Sequence, residues 1–221
     1  MTEAANDEGY VRIQVGTVAL HGNLLIPEQP KGLIVFAHGS GSSRHSPRNQ
    51  FVASILREAG FATLLFDLLT LDEEAEDLIS GKQRFDIKLL SDRLIGVTEW
   101  LHTGERTGAL RPGYFGASTG AAAALMAASR LDYVGAIVSR GGRPDLAMSG
   151  LAVVKAPTLL IVGGDDYSVI DFNRKALAVL NSIKKMVLVP GATHLFEEPG
   201  TLEKVAELAK NWFLKYLINN N

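Results

Sequence analysis

The sequence predicts an α/β fold in which a mostly parallel sheet is covered by helices on both faces, formed by one domain over residues 1–221. Three observations carry this expectation. Short apolar runs that lack polar-apolar alternation recur along the chain, as strands buried on both faces require. Between them lie stretches whose apolar residues repeat at helical spacing, and strands that alternate with helices imply right-handed crossovers. The chain has 221 residues, 47% hydrophobic and 21% charged, which suits one globular domain with a sizeable core and excludes a disordered chain.

Residues 10–15 and 17–27 read as two strands joined at Gly16, an antiparallel hairpin. Ahead of them, residues 1–9 carry Glu3, Asp7 and Glu8 and no apolar run, so a loosely held tail is expected there and a signal peptide is not. After Pro30-Lys31-Gly32 the buried runs begin: Leu33–Ala37, then 61–66, 113–115, 135–138, 158–162 and 186–189. Ser46 followed by Pro47 is an N-cap with proline at the first helical position, opening a helix through Phe51, Ile55 and Leu56 to Gly60. Ile87, Leu90, Leu94, Val97 and Leu101 repeat at spacings of three and four, as do Leu202, Val205, Ala209, Trp212 and Tyr216, so both stretches are amphipathic helices. An alanine-rich helix is expected over 121–129, and Ser168 with Asp171 reads as a capping-box-like pair opening another. The run Asp72-Glu73-Glu74-Ala75-Glu76-Asp77 reads as a solvated acidic face or mobile loop, with a lid or partner surface as the alternative.

Composition also excludes function classes. Lys and Arg number 22 against 24 Asp and Glu, so no global basic field exists to hold nucleic acid or an anionic membrane. Wholly apolar runs reach about five residues, far short of the roughly 20 that cross a bilayer. Without cysteine the chain has no disulfide framework, thiolate zinc site or cysteine nucleophile, and it suits a cytoplasmic location. No His-Glu-x-x-His spacing or similar cluster calls for a metal, no cofactor is implied, and His21 and His102 read as surface histidines.

In an open parallel sheet reactive groups gather beyond the carboxyl ends of the strands. The run 113–115 leads into Gly116-Ala117-Ser118-Thr119-Gly120 and then the alanine-rich helix, which is Gly-x-Ser-x-Gly in its strand-turn-helix setting. Glycines two residues either side let neighbouring backbone approach a serine held on a sharp turn. A serine hydroxyl needs a base to take its proton and an acid to orient that base. His194 follows the last strand in Pro190-Gly191-Ala192-Thr193-His194, and Asp165 and Asp166 follow the run 158–162. The order Ser118, Asp166, His194 is that of the nucleophile-elbow folds. A fourth strand end, His38-Gly39-Ser40-Gly41, supplies a glycine-rich loop for an oxyanion. The expected donors are the amides of Thr119 and Ser40, with Gly41 as the alternative to Ser40.

These motifs make the sequence similar to the α/β-hydrolases, and more narrowly to the dienelactone hydrolase-like group. The resemblance rests on His38-Gly39-Ser40-Gly41, Gly116-x-Ser118-x-Gly120, Gly163-x-x-Asp166 and Gly191-x-x-His194, and spans residues 10–217. It implies a sheet of about eight strands beginning with an antiparallel hairpin, no inserted cap domain, Asp166 rather than Asp165 as the acid, and hydrolysis of a small-molecule ester, lactone or related acyl bond. Characterised members of that group carry cysteine at the elbow and this chain carries Ser118, so the resemblance does not extend to a dienelactone substrate. The expected activity is serine hydrolysis through an acyl-enzyme; acyl transfer by the same residues, or a silent binding protein of the same fold, are the alternatives. Arg44 and Arg140, with Arg143 nearby, could bring guanidinium groups to the cleft and select an anionic substrate, or could form structural ion pairs such as Arg143 with Asp145.

Overall fold

In the computed structural model, which describes residues 8–218, the apolar runs become eight strands: β1 Tyr10–Val15, β2 Val18–Leu25, β3 Leu33–Ala37, β4 Ala62–Phe66, β5 Pro112–Ala117, β6 Ala136–Arg140, β7 Thr158–Gly163 and β8 Lys184–Val189. They form one sheet in the order β1-β2-β4-β3-β5-β6-β7-β8. β1 and β2 pair antiparallel, β2 meets β4 antiparallel, and every pairing from β4 to β8 is parallel. The carboxyl ends of β3, β5, β6, β7 and β8 therefore share one rim. Of the tail expected over 1–9, residues 1–7 lie outside the described residues. Gly9 accepts a hydrogen bond from the Leu24 amide at 2.8 Å, and the Glu8 carbonyl accepts one from the Asn23 side chain at 3.2 Å.

The described residues form seven helices, α1 Pro47–Glu58, α2 Leu71–Ser80, α3 Ile87–Thr103, α4 Thr119–Ala128, α5 Met148–Leu151, α6 Tyr167–Val179 and α7 Thr201–Tyr216. β3 shows why its run has no polar alternation. Leu33, Val35 and Ala37 enter a core shared with Leu90, Leu94, Val97 and Ala122–Leu125 of α3 and α4, while Ile34 and Phe36 enter a second core with Val52 and Leu56 of α1 and Val205, Ala209 and Phe213 of α7. Both faces of the strand are apolar because both are covered. Burying a side chain of this size is worth about 1.5–3 kcal/mol. Ser46 caps α1 through the Asn49 amide at 3.4 Å, with Pro47 in the first turn.

Two readings of the sequence are corrected. The acidic run is not a loop: it forms α2, on which Asp72, Glu74 and Glu76 keep the expected solvated face while Asp77 is buried. Thr70 and Glu73 make a capping box at 3.2 and 2.8 Å, Glu73 pairs with Arg93, and buried Asp77 accepts hydrogen bonds from the Gln83 and Arg84 amides and the Arg84 side chain. Acidic residues in a first helical turn offset the positive end of the helix dipole, so the cluster favours the helix it seemed to oppose. Ser168 and Asp171 do not cap α6, which begins at Tyr167 with Asp166 at the cap position; Asp171 instead pairs with Arg174 at 3.2 Å. The connection from β4 to β5 holds α2, a 3₁₀ turn at Gln83–Phe85 and α3, with no inserted domain among the described residues.

Candidate active site

Ser118 stands between β5 and α4 with φ 51° and ψ −120°, a strained backbone for a residue with a Cβ. The neighbours over-determine it. The Ser118 amide donates to the Arg140 carbonyl at 3.2 Å, and its carbonyl accepts from the amides of Arg143 and Ala121, both at 3.1 Å. A Cβ at Gly116 would collide with the Ala121 backbone, and one at Gly120 with the carbonyls of Ala37 and His38. The elbow glycines are thus points of backbone contact on both sides of the serine.

The sheet brings Asp166 and His194 to the same place. His194 Nδ1–H donates to Asp166 Oδ2 at 2.7 Å, which leaves Nε2 as the acceptor facing Ser118 Oγ at 3.4 Å. That last distance is long for a hydrogen bond, and such contacts commonly tighten when substrate binds. Gly163 permits the approach, since a Cβ there would strike the carbonyls of Ala192 and Thr193 that lead into His194. Asp165 is exposed, and its amide donates to the Ala192 carbonyl at 3.0 Å. The two adjacent acids therefore face different surroundings, with Asp166 against the histidine.

Thr119, as the first residue of α4, has an amide with no intrahelical acceptor, and the Ser40 amide donates to no backbone carbonyl among the described residues. The Ser40 loop is fixed from below by His38, whose Nδ1–H donates to the Gly39 carbonyl at 2.9 Å while Nε2 accepts from the Leu68 amide at 3.1 Å. Acceptance at Nε2 requires the neutral ring, and burial holds the His38 pKa below the usual histidine range although the bond to Gly39 works the other way. Gly39 lies so close to Ser118 that a Cβ would come within 3.0 Å of the serine Cβ.

The arginines separate into two kinds. Arg44 turns away from the serine and is held by Asp67, through its amide at 2.8 Å and through an ion pair, and by Asn23 at 3.1 Å. Arg143 pairs with Asp145 at 2.8 and 2.9 Å and lies 4.9 Å from the Phe172 ring centre. Arg140, at the end of β6, lines the cleft with Ser118 and His194. It is 7% exposed, its hydrogen-bond partner is the neutral Asn49 at 3.4 Å, and its Nε has none. Burial and the nearby Arg48 lower its pKa to about 10. Arg48 lines the same cleft and pairs with exposed Glu197 at 2.8 Å. The sequence reading missed Arg48; its position in the first turn of α1, a helix that starts just past the β3 strand end, was the available signal.

The family model of the dienelactone hydrolase family matches residues 20–217. The chain belongs to the dienelactone hydrolase family. The family is one of hydrolases, and the eight-stranded, mostly parallel sheet is its fold. A dienelactone hydrolase from Anabaena variabilis ATCC 29413 is 57% identical, with a TM-score of 0.93 over 94% of this chain and 97% of that one. Est1E from Butyrivibrio proteoclasticus has a TM-score of 0.79 at 17% identity, covering 94% of this chain and 98% of that one, a likeness of fold. Two Mycobacterium tuberculosis proteins, from strains CDC 1551 and H37Rv, are each 58% identical over 209 residues and bear the name "Putative phosphoribosyl transferase". The match covers 94% of this chain and 46% of each of them, so the chain spans about half the length of these relatives. Among the described residues of this family member, no helix is long and apolar enough to cross a membrane and no His, Asp and Glu cluster could hold a metal ion.

Proposed function

We propose that the chain is a serine hydrolase that cleaves a carboxylic ester or lactone through an acyl-enzyme. The observation that carries this reading is the continuous line from Asp166 through His194 to Ser118, at 2.7 and 3.4 Å, ending on a strained elbow. Ser118 Oγ attacks the carbonyl carbon as its proton passes to His194 Nε2, and Asp166 stabilises the imidazolium that forms. The amides of Thr119 and Ser40 hold the oxyanion. Collapse of the intermediate breaks the bond to the leaving oxygen, which takes the proton from His194. Water then repeats the sequence on the acyl-enzyme, giving up a proton to His194, and releases the acid and the free serine. The phosphoribosyl transferase name belongs to relatives about twice as long, and none of these steps draws on it.

The test is covalent labelling by a fluorophosphonate together with turnover of an aryl acetate, with Ser118→Ala as the control. We expect labelling of the wild type at Ser118 and loss of both labelling and turnover in the variant, while the melting temperature stays within about a degree or two because the change leaves the backbone clamp intact. Turnover above a few per cent in Ser118→Ala would reject Ser118 as nucleophile. Release of free acid in water, rather than an acylated acceptor, separates hydrolysis from acyl transfer.

A further inference from the structure

The oxyanion loop does more than present an amide: it divides the cleft. Gly39, Ser40 and Ser42 line two cavities, one on each side of the loop. One holds Ser118, His194, Arg140 and Arg48. The other holds Thr119 and the leucines Leu68, Leu69, Leu78 and Leu90. Resting on the serine-hydrolase reading above, we infer that the substrate is a two-ended ester, with an apolar acyl group seated among the leucines and an anionic alcohol as the leaving group beside Arg140.

The direction follows from the proton. In acyl-enzyme formation the group that protonates the leaving oxygen must lie beside it, and here that group is His194. His194 lines the arginine cavity and not the leucine cavity. With the carbonyl oxygen fixed between the Thr119 and Ser40 amides, the leaving group extends towards His194 and the acyl chain takes the opposite side.

The charge follows from an unbalanced ledger at Arg140. Buried charges in folded proteins are ordinarily paired, since taking a lone ion out of water is expensive. Arg140 is buried, has no carboxylate partner among the described residues, leaves Nε without a partner, and faces a second guanidinium at Arg48. Among the described residues Arg48 pairs with the exposed Glu197 alone, and its own Nε is unpartnered. An anion with two or more oxygens on the leaving group, carboxylate or sulfonate, would meet both guanidinium groups in the cavity that holds the nucleophile. The other cavity has the opposite character. Its Asp67 and Asp77 are already committed to Arg44 and Arg84, and Glu74 remains as an acid that would repel an anionic acyl chain.

The experiment compares three esters, each corrected for its own hydroxide-catalysed rate. They are the butanoate of 4-hydroxybenzenesulfonate, the butanoate of 4-hydroxybenzenesulfonamide, and the hemisuccinate of 4-hydroxybenzenesulfonamide. We expect kcat/KM for the sulfonate to exceed that of the neutral sulfonamide by about tenfold, the scale of one charge-assisted hydrogen bond, and the hemisuccinate to fall below both. Arg140→Met should remove most of the sulfonate preference, Arg48→Ala should lower it in part, and the double variant should bring the ratio to about one. A wild-type ratio near one, or a preference for the hemisuccinate, would overturn the inference, and neither result depends on a variant that must fold. If fluorophosphonate labels Ser118 but the ratio is one, only the two-ended substrate is lost. If Ser118 is not labelled and no ester turns over, the serine-hydrolase reading fails and takes the inference with it.

Discussion

Two segments near the same rim of the sheet are held in opposite ways. The elbow around Ser118 is buried and fixed by backbone alone: the carbonyl of Arg140, the amide of Arg143, and the close packing that Gly116 and Gly120 permit. Helix α2 is largely exposed, with Leu78 and Ile79 in the open, and is fixed by side chains: the Thr70 and Glu73 box, Glu73 with Arg93, and Asp77 with Arg84. The elbow depends on atoms that are absent, the β-carbons at 116 and 120. α2 depends on charges and caps that are present. Steric constraint is indifferent to salt and pH, whereas a surface held by ion pairs is screened by one and titrated by the other.

The sharpest way to probe the rigid segment is to leave its shape alone and remove its chemistry. Asp166→Asn should lower kcat by on the order of 10³–10⁴ by favouring the wrong tautomer of His194, while Asp165→Asn, at an exposed side chain, should stay within a few-fold. The opposite ranking in steady-state assays would move the acid to Asp165. Next, Gly120→Ala should destabilise by about 1–3 kcal/mol through overpacking against Ala37 and His38, seen in urea unfolding, and should slow fluorophosphonate labelling. A variant of unchanged stability would break the steric account.

Acid should then reach the rim through His38, which ties the glycine-rich loop after β3 to the chain after β4 by bonding the Gly39 carbonyl and the Leu68 amide. Its folded pKa lies below its unfolded one, so the unfolded chain binds the proton first. Its contribution is full above about pH 6.5 and is lost as pH falls towards the folded pKa. His38→Gln should flatten that part of the stability-pH curve measured by thermal melts; an identical curve would assign the loss to other groups. The smallest effect is expected in α2, where Thr70→Ala removes the cap at a cost of about 1 kcal/mol and leaves the rate of Ser118 labelling unchanged.

The same contrast explains what could be read in advance. The strands, and the elbow with its serine, follow from local rules: an apolar run covered on both faces, and glycines where backbone meets backbone. That Asp166 rather than Asp165 faces His194 was legible only through the Gly163-x-x-Asp166 pattern, in which Gly163 admits the His194 loop. α2 was illegible because five acids in six residues look like a solvated loop until Arg84 and Arg93, supplied by later parts of the chain, meet them. Arg44 looked like a cleft residue because it follows the glycine-rich loop after β3, but the chain turns it onto Asp67 just past β4. Arg48 escaped notice because only the packing of α1 carries it back over the rim.

The clamp on Ser118 also has an evolutionary side. It is made by the carbonyl of residue 140 and the amide of residue 143, atoms that every amino acid supplies at the first position and every one but proline at the second. The side chain at 140, however, projects into the cleft. On the proposed reading, a mutation there would change which molecules bind without touching the peptide unit that clamps Ser118. If that reading holds, residue 140 is a point at which substrate preference can change in a single step while the backbone clamp is kept.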